Sequence, residues 1–187
     1  MGGTFDPIHH GHLVAAEEAR VALELSRVLF IPAGRPWQKE RHDVTAGSHR
    51  LAMTRLAIED NPCFEVSTIE LDREGLTYTI DTLRTVHEQH PADDLYFITG
   101  ADAMLQILTW KDPDEILELA RFVAVTRPGH DLGDLRERGE RIVILEIPAL
   151  AISSTDIRER VASGRPIRYL VPDQVRRYID EQGLYGA

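Results

Sequence analysis

The 187 residues predict an α/β domain: a doubly wound, mainly parallel sheet with helices on both faces. Three observations carry this. Short apolar runs alternate with segments of helical periodicity along the chain. A glycine-rich turn runs directly into the first helix. The hydrophobic content of 43% supports one core, and no repeat, low-complexity tract or composition shift divides it.

The elements follow in order. Gly11 to about Leu25 predicts a helix, with Leu13, Ala16, Ala19 and Leu23 on one face. Arg27–Ala33 reads as a buried strand, and Gly34–Val44 as a polar loop. Ala46–Glu59 predicts a helix and Phe64–Leu71 a strand. Thr79–His90 predicts a helix that stops at Pro91. Leu95–Thr99 is a short strand running into Gly100, followed by helices near Ala101–Leu108 and Pro113–Ala120. Arg121–Thr126 and Ile142–Ile147 are further strands, and Ser153–Ala162 and Pro172–Gln182 are closing helices. Only Met1 precedes Gly2, where such a sheet normally has a strand, so the first strand is expected to be missing. Parallel sheets of this type bind ligands beyond the carboxyl ends of their strands.

Charge and cysteine content narrow the function classes. A net charge of −10 argues against bulk nucleic acid, which needs clustered Lys and Arg, but leaves room for small anions held by a few converging cations. Cys63 is the only cysteine, so neither a disulfide framework nor a Cys-based metal site is expected. No signal peptide and no membrane-spanning apolar run is read, so the expected location is cytoplasmic, without a membrane partner. Oligomeric state is not legible.

Two motifs carry the chemistry. The first is Gly2-Gly3-Thr4-Phe5-Asp6-Pro7-Ile8-His9-His10-Gly11-His12. Paired glycines permit close backbone approach to a ligand, and the helix opened near Gly11 points its positive end outward, which makes an anion site. His9 and His12 are one helical turn apart and can donate to oxygens that gain charge. The competing readings are solvent-exposed histidines on a plain turn, or a metal held by His9, His10 and His12, for which no carboxylate or Cys completes the set. The second motif, Ile152-Ser153-Ser154-Thr155-Asp156-Ile157-Arg158, opens a helix. Ser153 and Asp156 match a capping box, and the hydroxyls with Arg158 also suit phosphate oxygens. Together the motifs describe two helix N-termini converging on one polyphosphate.

Weaker signals accompany them. Lys39, one of two lysines, lies in a loop from which a cation could reach a phosphate; it reads equally as a solvated side chain. Asp102, after Gly100, stands where an acid can accept from ribose hydroxyls, or simply cap a helix. Trp110 can stack on a flat heterocycle or pack in the core.

These residues resemble bacterial nicotinate-nucleotide adenylyltransferases of the nucleotidyltransferase superfamily. The resemblance spans essentially the whole chain: GGTFDPIHHGH, ISSTDIR, Trp37-Gln38-Lys39, His49-Arg50-Leu51, Tyr78-Thr79, Gly100-Ala101-Asp102, Trp110, Arg127-Pro128-Gly129 and Tyr178-Ile179 with Gly183-Leu184-Tyr185. It implies a single Rossmann-like nucleotidyltransferase domain over 1–187, with C-terminal helices from about 153 packed on it. The implied partners are ATP and nicotinate mononucleotide, with magnesium as cofactor and no metal ligand from protein side chains. The implied catalytic residues are His9, His12, Lys39 and Arg158. ATP would be held by Gly3, Thr4, Phe5, Gly11, Gly100, Asp102, Ser153, Ser154 and Thr155, and the acceptor by Thr79, Trp110 and Arg50. Gln38 stands where the family often has His, which weakens the loop's phosphate role but leaves Lys39. The alternatives are an adenylyltransferase acting on phosphopantetheine or on nicotinamide mononucleotide, and a module that senses ATP without turnover.

Overall fold

A computed structural model describes residues 1–35, 44–126, 141–148 and 150–186, and only the backbone of Asp102 and Leu108. Lys39, Trp37, Gln38 and Arg127-Pro128-Gly129 lie outside the described residues.

Two three-stranded parallel sheets form the centre. The first has the order β1-β2-β3, with β1 Gly2–Gly3, β2 Val28–Pro32 and β3 Phe64–Val66. The second has the order β4-β5-β6, with β4 Tyr96–Gly100, β5 Arg121–Thr126 and β6 Ile142–Glu146. β1 joins the halves: it pairs with β2 at Gly2↔Ile31 and Gly3↔Pro32, while a Cβ built on Gly2 would meet the β4 side chain Phe97 at 3.4 Å. The first strand, expected to be missing, is therefore present as two residues.

The helices are α1 His10–Ala22, α2 Gly47–Ile58, α3 Thr79–Gln89, α4 Ala101–Met104, α5 Pro113–Leu119, α6 Ser154–Ala162 and α7 Asp173–Gln182. β5 shows why they lie on both faces. Side chains alternate along a strand. Val123 packs in one cluster with Phe5, Ile8, Phe30 and Ile98, whereas Phe122 and Ala124 pack in another with Ile80, Met104 and Ile116. Ile157 of α6 and Val175 and Ile179 of α7 are buried in the first cluster, so the closing helices share a core that draws on strands of both sheets. His49 of α2 and Tyr178 of α7 add a polar tie, Nδ1 to hydroxyl at 2.9 Å.

One predicted strand is shorter than expected. Phe64–Leu71 is extended only to Val66. Beyond it the chain turns back: the Asp72 amide donates to the Thr68 carbonyl at 2.9 Å, and the Thr68 hydroxyl donates to the Asp72 carboxylate at 2.6 Å. Short polar side chains that bond the local backbone compete with a ladder, and here they end it. The predicted helix Ala101–Leu108 is likewise divided into α4 and a 3₁₀ turn, Ile107–Thr109.

Candidate active site

The glycine–histidine turn is built from the inside. Phe5, Ile8 and His9 are buried, and Phe5 has φ +50, a left-handed conformation uncommon for a side chain of this size. Such backbone persists where its surroundings over-determine it, often at functional sites. The Phe5 ring meets His12 edge-on, with centroids 5.1 Å apart. Gly3 permits this turn, since a Cβ there would lie 2.7 Å from the Phe5 ring. Gly11 serves His9 in the same way: a Cβ would lie 3.0 Å from His9 Nδ1.

His9 is the N-cap of α1, and its ring stacks on His12 with centroids 3.7 Å apart. The His9 amide donates to His12 Nδ1 at 3.2 Å. Nδ1 is thus an acceptor, so neutral His12 carries its proton on Nε2, as a donor. Burial, and then the neighbouring His10, lower the His9 imidazole to about 4. Burial, and then His9, hold His12 well below its ordinary value of 6.5. Both rings are therefore neutral at neutral pH. His9 Nδ1 is buried and has no partner among the described residues.

The second motif is tied to the first by side-chain hydrogen bonds. Ser153 caps α6 by accepting from the Asp156 amide at 3.1 Å. Ser154 Oγ donates to the Pro7 carbonyl at 2.9 Å, and Arg158 Nη1 donates to the Asp6 carbonyl at 2.8 Å. Arg158 Nη2 also reaches Thr155 Oγ1 at 3.4 Å. The starts of α1 and α6 thereby form one unit, bringing together two imidazoles, a guanidinium and hydroxyls. That donor set suits phosphate oxygens.

A cavity of about 770 Å³ runs between the two half-sheets and is lined by Gly2, Gly3, Thr4, Thr77, Thr79 and Trp110, among others. Thr79 opens α3. Trp110 packs edge-on against Phe97 and Phe122, and its Nε1 is buried without a partner among the described residues. His9, His12 and Arg158 are not in the cavity wall. The continuous segment Gly3-Thr4-Phe5 connects the cavity to the histidine pair. Gly100 ends β4 and caps α4, which places Asp102 in the first turn of that helix.

Arg50 requires correction. The expected substrate contact faces inward instead: Arg50 is 2% exposed, and its guanidinium donates to the carbonyls of Thr45 at 2.8 Å, Thr4 at 2.8 Å and Gly34 at 3.4 Å. Desolvation lowers its pKa, opposed chiefly by the Asp6 charge. With its fork committed to three carbonyls, Arg50 braces the turn and does not offer itself to a ligand.

Sequence reasoning missed Asp6 as a hub. It is buried, its carboxylate accepts from the Thr45 amide at 3.1 Å and from the Tyr185 hydroxyl at 2.7 Å, and its carbonyl takes Arg158. The available signal was an acid inside the apolar string Phe-Asp-Pro-Ile, since a buried carboxylate needs partners. Tyr185, 179 residues away, has no spacing relation to reveal it.

The cytidylyltransferase-like family matches residues 1–160. A probable nicotinate-nucleotide adenylyltransferase of Streptomyces coelicolor is 56% identical over 185 residues, covering 99% of this chain and 98% of the relative. One of the same name from Leifsonia xyli subsp. xyli is 57% identical over 187 residues, covering 100% and 92%. The chain belongs to the nicotinate-nucleotide adenylyltransferase family. The fold of this family member is also that of a solved structure, the Plasmodium falciparum nicotinic acid mononucleotide adenylyltransferase complexed with NaAD. The TM-score is 0.84 at 21% identity, covering 98% of this chain and 94% of that one. Among the described residues, no helix of this adenylyltransferase family member is long and apolar enough to cross a membrane.

Proposed function

We propose that this protein transfers the adenylyl group of ATP to nicotinate mononucleotide, releasing pyrophosphate and forming nicotinate adenine dinucleotide, a step of NAD biosynthesis in the cytoplasm. The observation that carries the reading is the pair of bonds from Ser154 and Arg158 to the carbonyls of Pro7 and Asp6, which makes the two phosphate motifs one site. The names of the close, full-length relatives supply the acceptor.

The chemistry needs no covalent intermediate. The acceptor's phosphate oxygen is already a nucleophile: it attacks the α-phosphorus in line, and the bond to the bridging oxygen of pyrophosphate breaks. The protein aligns the two nucleotides and offsets charge on the leaving group. His12, neutral with its proton on Nε2, donates a hydrogen bond, and its neutrality avoids presenting an acid that would protonate the phosphates. Arg158 contributes a permanent charge. Lys39 is proposed as the loop cation, Asp102 as a ribose contact, and Thr79 with Trp110 as the walls of the acceptor pocket.

Among the described residues, no three His, Cys, Asp or Glu side chains gather as a metal site. The imidazoles, hydroxyls and guanidinium form a donor set that fits phosphate oxygens, not a hard cation, so magnesium is proposed to be held by the triphosphate itself. Bound there, it neutralises phosphate charge.

A pyrophosphate-release assay tests the reading, with ATP, magnesium and, in separate arms, nicotinate mononucleotide, nicotinamide mononucleotide and phosphopantetheine. Preferred turnover of the nicotinate acceptor is expected. Preference for another acceptor, or ATP binding without release in any arm, would overturn it.

A further inference from the structure

Tyr185 closes the chain onto the catalytic turn in a way that packing alone does not require. α7 ends at Gly183, which has φ +60, and the Leu184 amide returns to the Ile179 carbonyl at 3.0 Å. Tyr185 itself has φ +61, an uncommon conformation for an aromatic residue. Two left-handed residues, Gly183 and Tyr185, bend the tail back, and the bend delivers the Tyr185 hydroxyl to Asp6 Oδ1 at 2.7 Å. Asp6 is 2% exposed, and the Thr45 amide meets its other oxygen. Among the described residues, each carboxylate oxygen thus has one donor, and the two donors come from different parts of the chain.

We propose that Tyr185 is a positioning residue for the adenylyl-transfer step, acting through Asp6 on the turn that carries His9 and His12. The inference rests on the proposed function. The path is continuous: the Asp6 side chain fixes the turn between Phe5 and Ile8, and the turn sets the His9 amide that orients His12 through Nδ1. Loss of the hydroxyl leaves a buried carboxylate oxygen without its donor, and the turn must move to recover one. A small displacement of donors aimed at developing charge lowers kcat, while contacts made equally in the ground state keep KM. Burial and the Asp6 bond both push the Tyr185 pKa up, so the hydroxyl stays protonated and remains a donor.

The test compares Tyr185→Phe, Asp6→Asn, the double variant and Leu184→Ala. Tyr185→Phe keeps the ring and removes only the hydroxyl. It is expected to lower kcat about tenfold with both KM values within about twofold. The double variant is expected to be no slower than Asp6→Asn alone, because the two groups act in series. Leu184→Ala loosens the same tail without touching the hydroxyl, and is expected to lower Tm with unchanged kcat. Imidazole ¹⁵N spectra give a readout independent of turnover: the parent shows His12 protonated on Nε2, and Tyr185→Phe shows a mixed tautomer population. Parental kcat and spectra in Tyr185→Phe, an additive double variant, or an equal kcat loss in Leu184→Ala would each overturn the proposal. A parent protein without adenylyl transfer would overturn the functional reading, and the positioning role of Tyr185 with it.

Discussion

Ser154 Oγ donates to the Pro7 carbonyl at 2.9 Å, a bond between residues 147 apart that clamps the start of α6 to the turn before α1. Ser154→Ala is expected to cost about 1 kcal/mol of stability, the net worth of one partly buried hydrogen bond. It should also lower kcat, because the two phosphate motifs lose a shared anchor. Thermal melting and steady-state kinetics read the two effects, and an unchanged kcat would separate the clamp from catalysis.

The stacked histidines predict a sharper effect. His12→Ala removes the Nε2 donor and the acceptor of the His9 amide. A loss of about 10²–10³ in kcat is expected, the range for removing one preorganised donor. Circular dichroism should show a folded protein, because His12 is only half-buried. Near-parental kcat would sink the proposed mechanism.

Arg50 predicts a stability effect. Arg50→Ala strands the carbonyls of Thr4, Thr45 and Gly34 and leaves a buried void, for an expected loss of about 3 kcal/mol or more. Arg50→Lys should recover little, because one ammonium cannot reproduce the planar fork. Urea denaturation of the three proteins measures this; a lysine variant of parental stability would contradict it.

The imidazoles whose charged form the fold disfavours make stability pH-dependent. The folded protein holds His9 neutral down to about 4, whereas the unfolded chain takes up the proton near 6.5. On acidification the unfolded state therefore binds protons first, and stability is expected to fall from about pH 6.5 toward about pH 4, with no further contribution below. The lowered His12 acts with the same sign. Urea midpoints across this range should fall less steeply for His9→Gln than for the parent.

The proposed acceptor pocket predicts that Trp110 affects one substrate more than the other. Trp110→Ala is expected to raise the KM for nicotinate mononucleotide about tenfold, given that stacking on an aromatic ring is worth about 1–3 kcal/mol. The KM for ATP should stay within about twofold, and Trp110→Phe should recover most of the difference. An equal rise for both substrates would assign Trp110 to packing, which its contacts with Phe97 and Phe122 also serve.

Local features were legible in the chain because local physics sets them. Alternation of apolar runs marked the strands and helices, Gly11 and Ser153 marked the helix starts, and the His9–His12 spacing put both imidazoles on one turn. The family was legible from whole motifs. Folding decided what depends on distant partners. Arg50 looks like a ligand contact beside His49 until the fold surrounds it with three carbonyls, and a charge is assigned by what desolvates and partners it. Asp6 reads as one turn residue among eleven until Tyr185, 179 residues later, reaches it. The sequence by itself determined which groups could bind phosphate; the tertiary structure alone decided which of them face a ligand and which hold the others in place, because burial and hydrogen-bond partnership are properties of the folded chain.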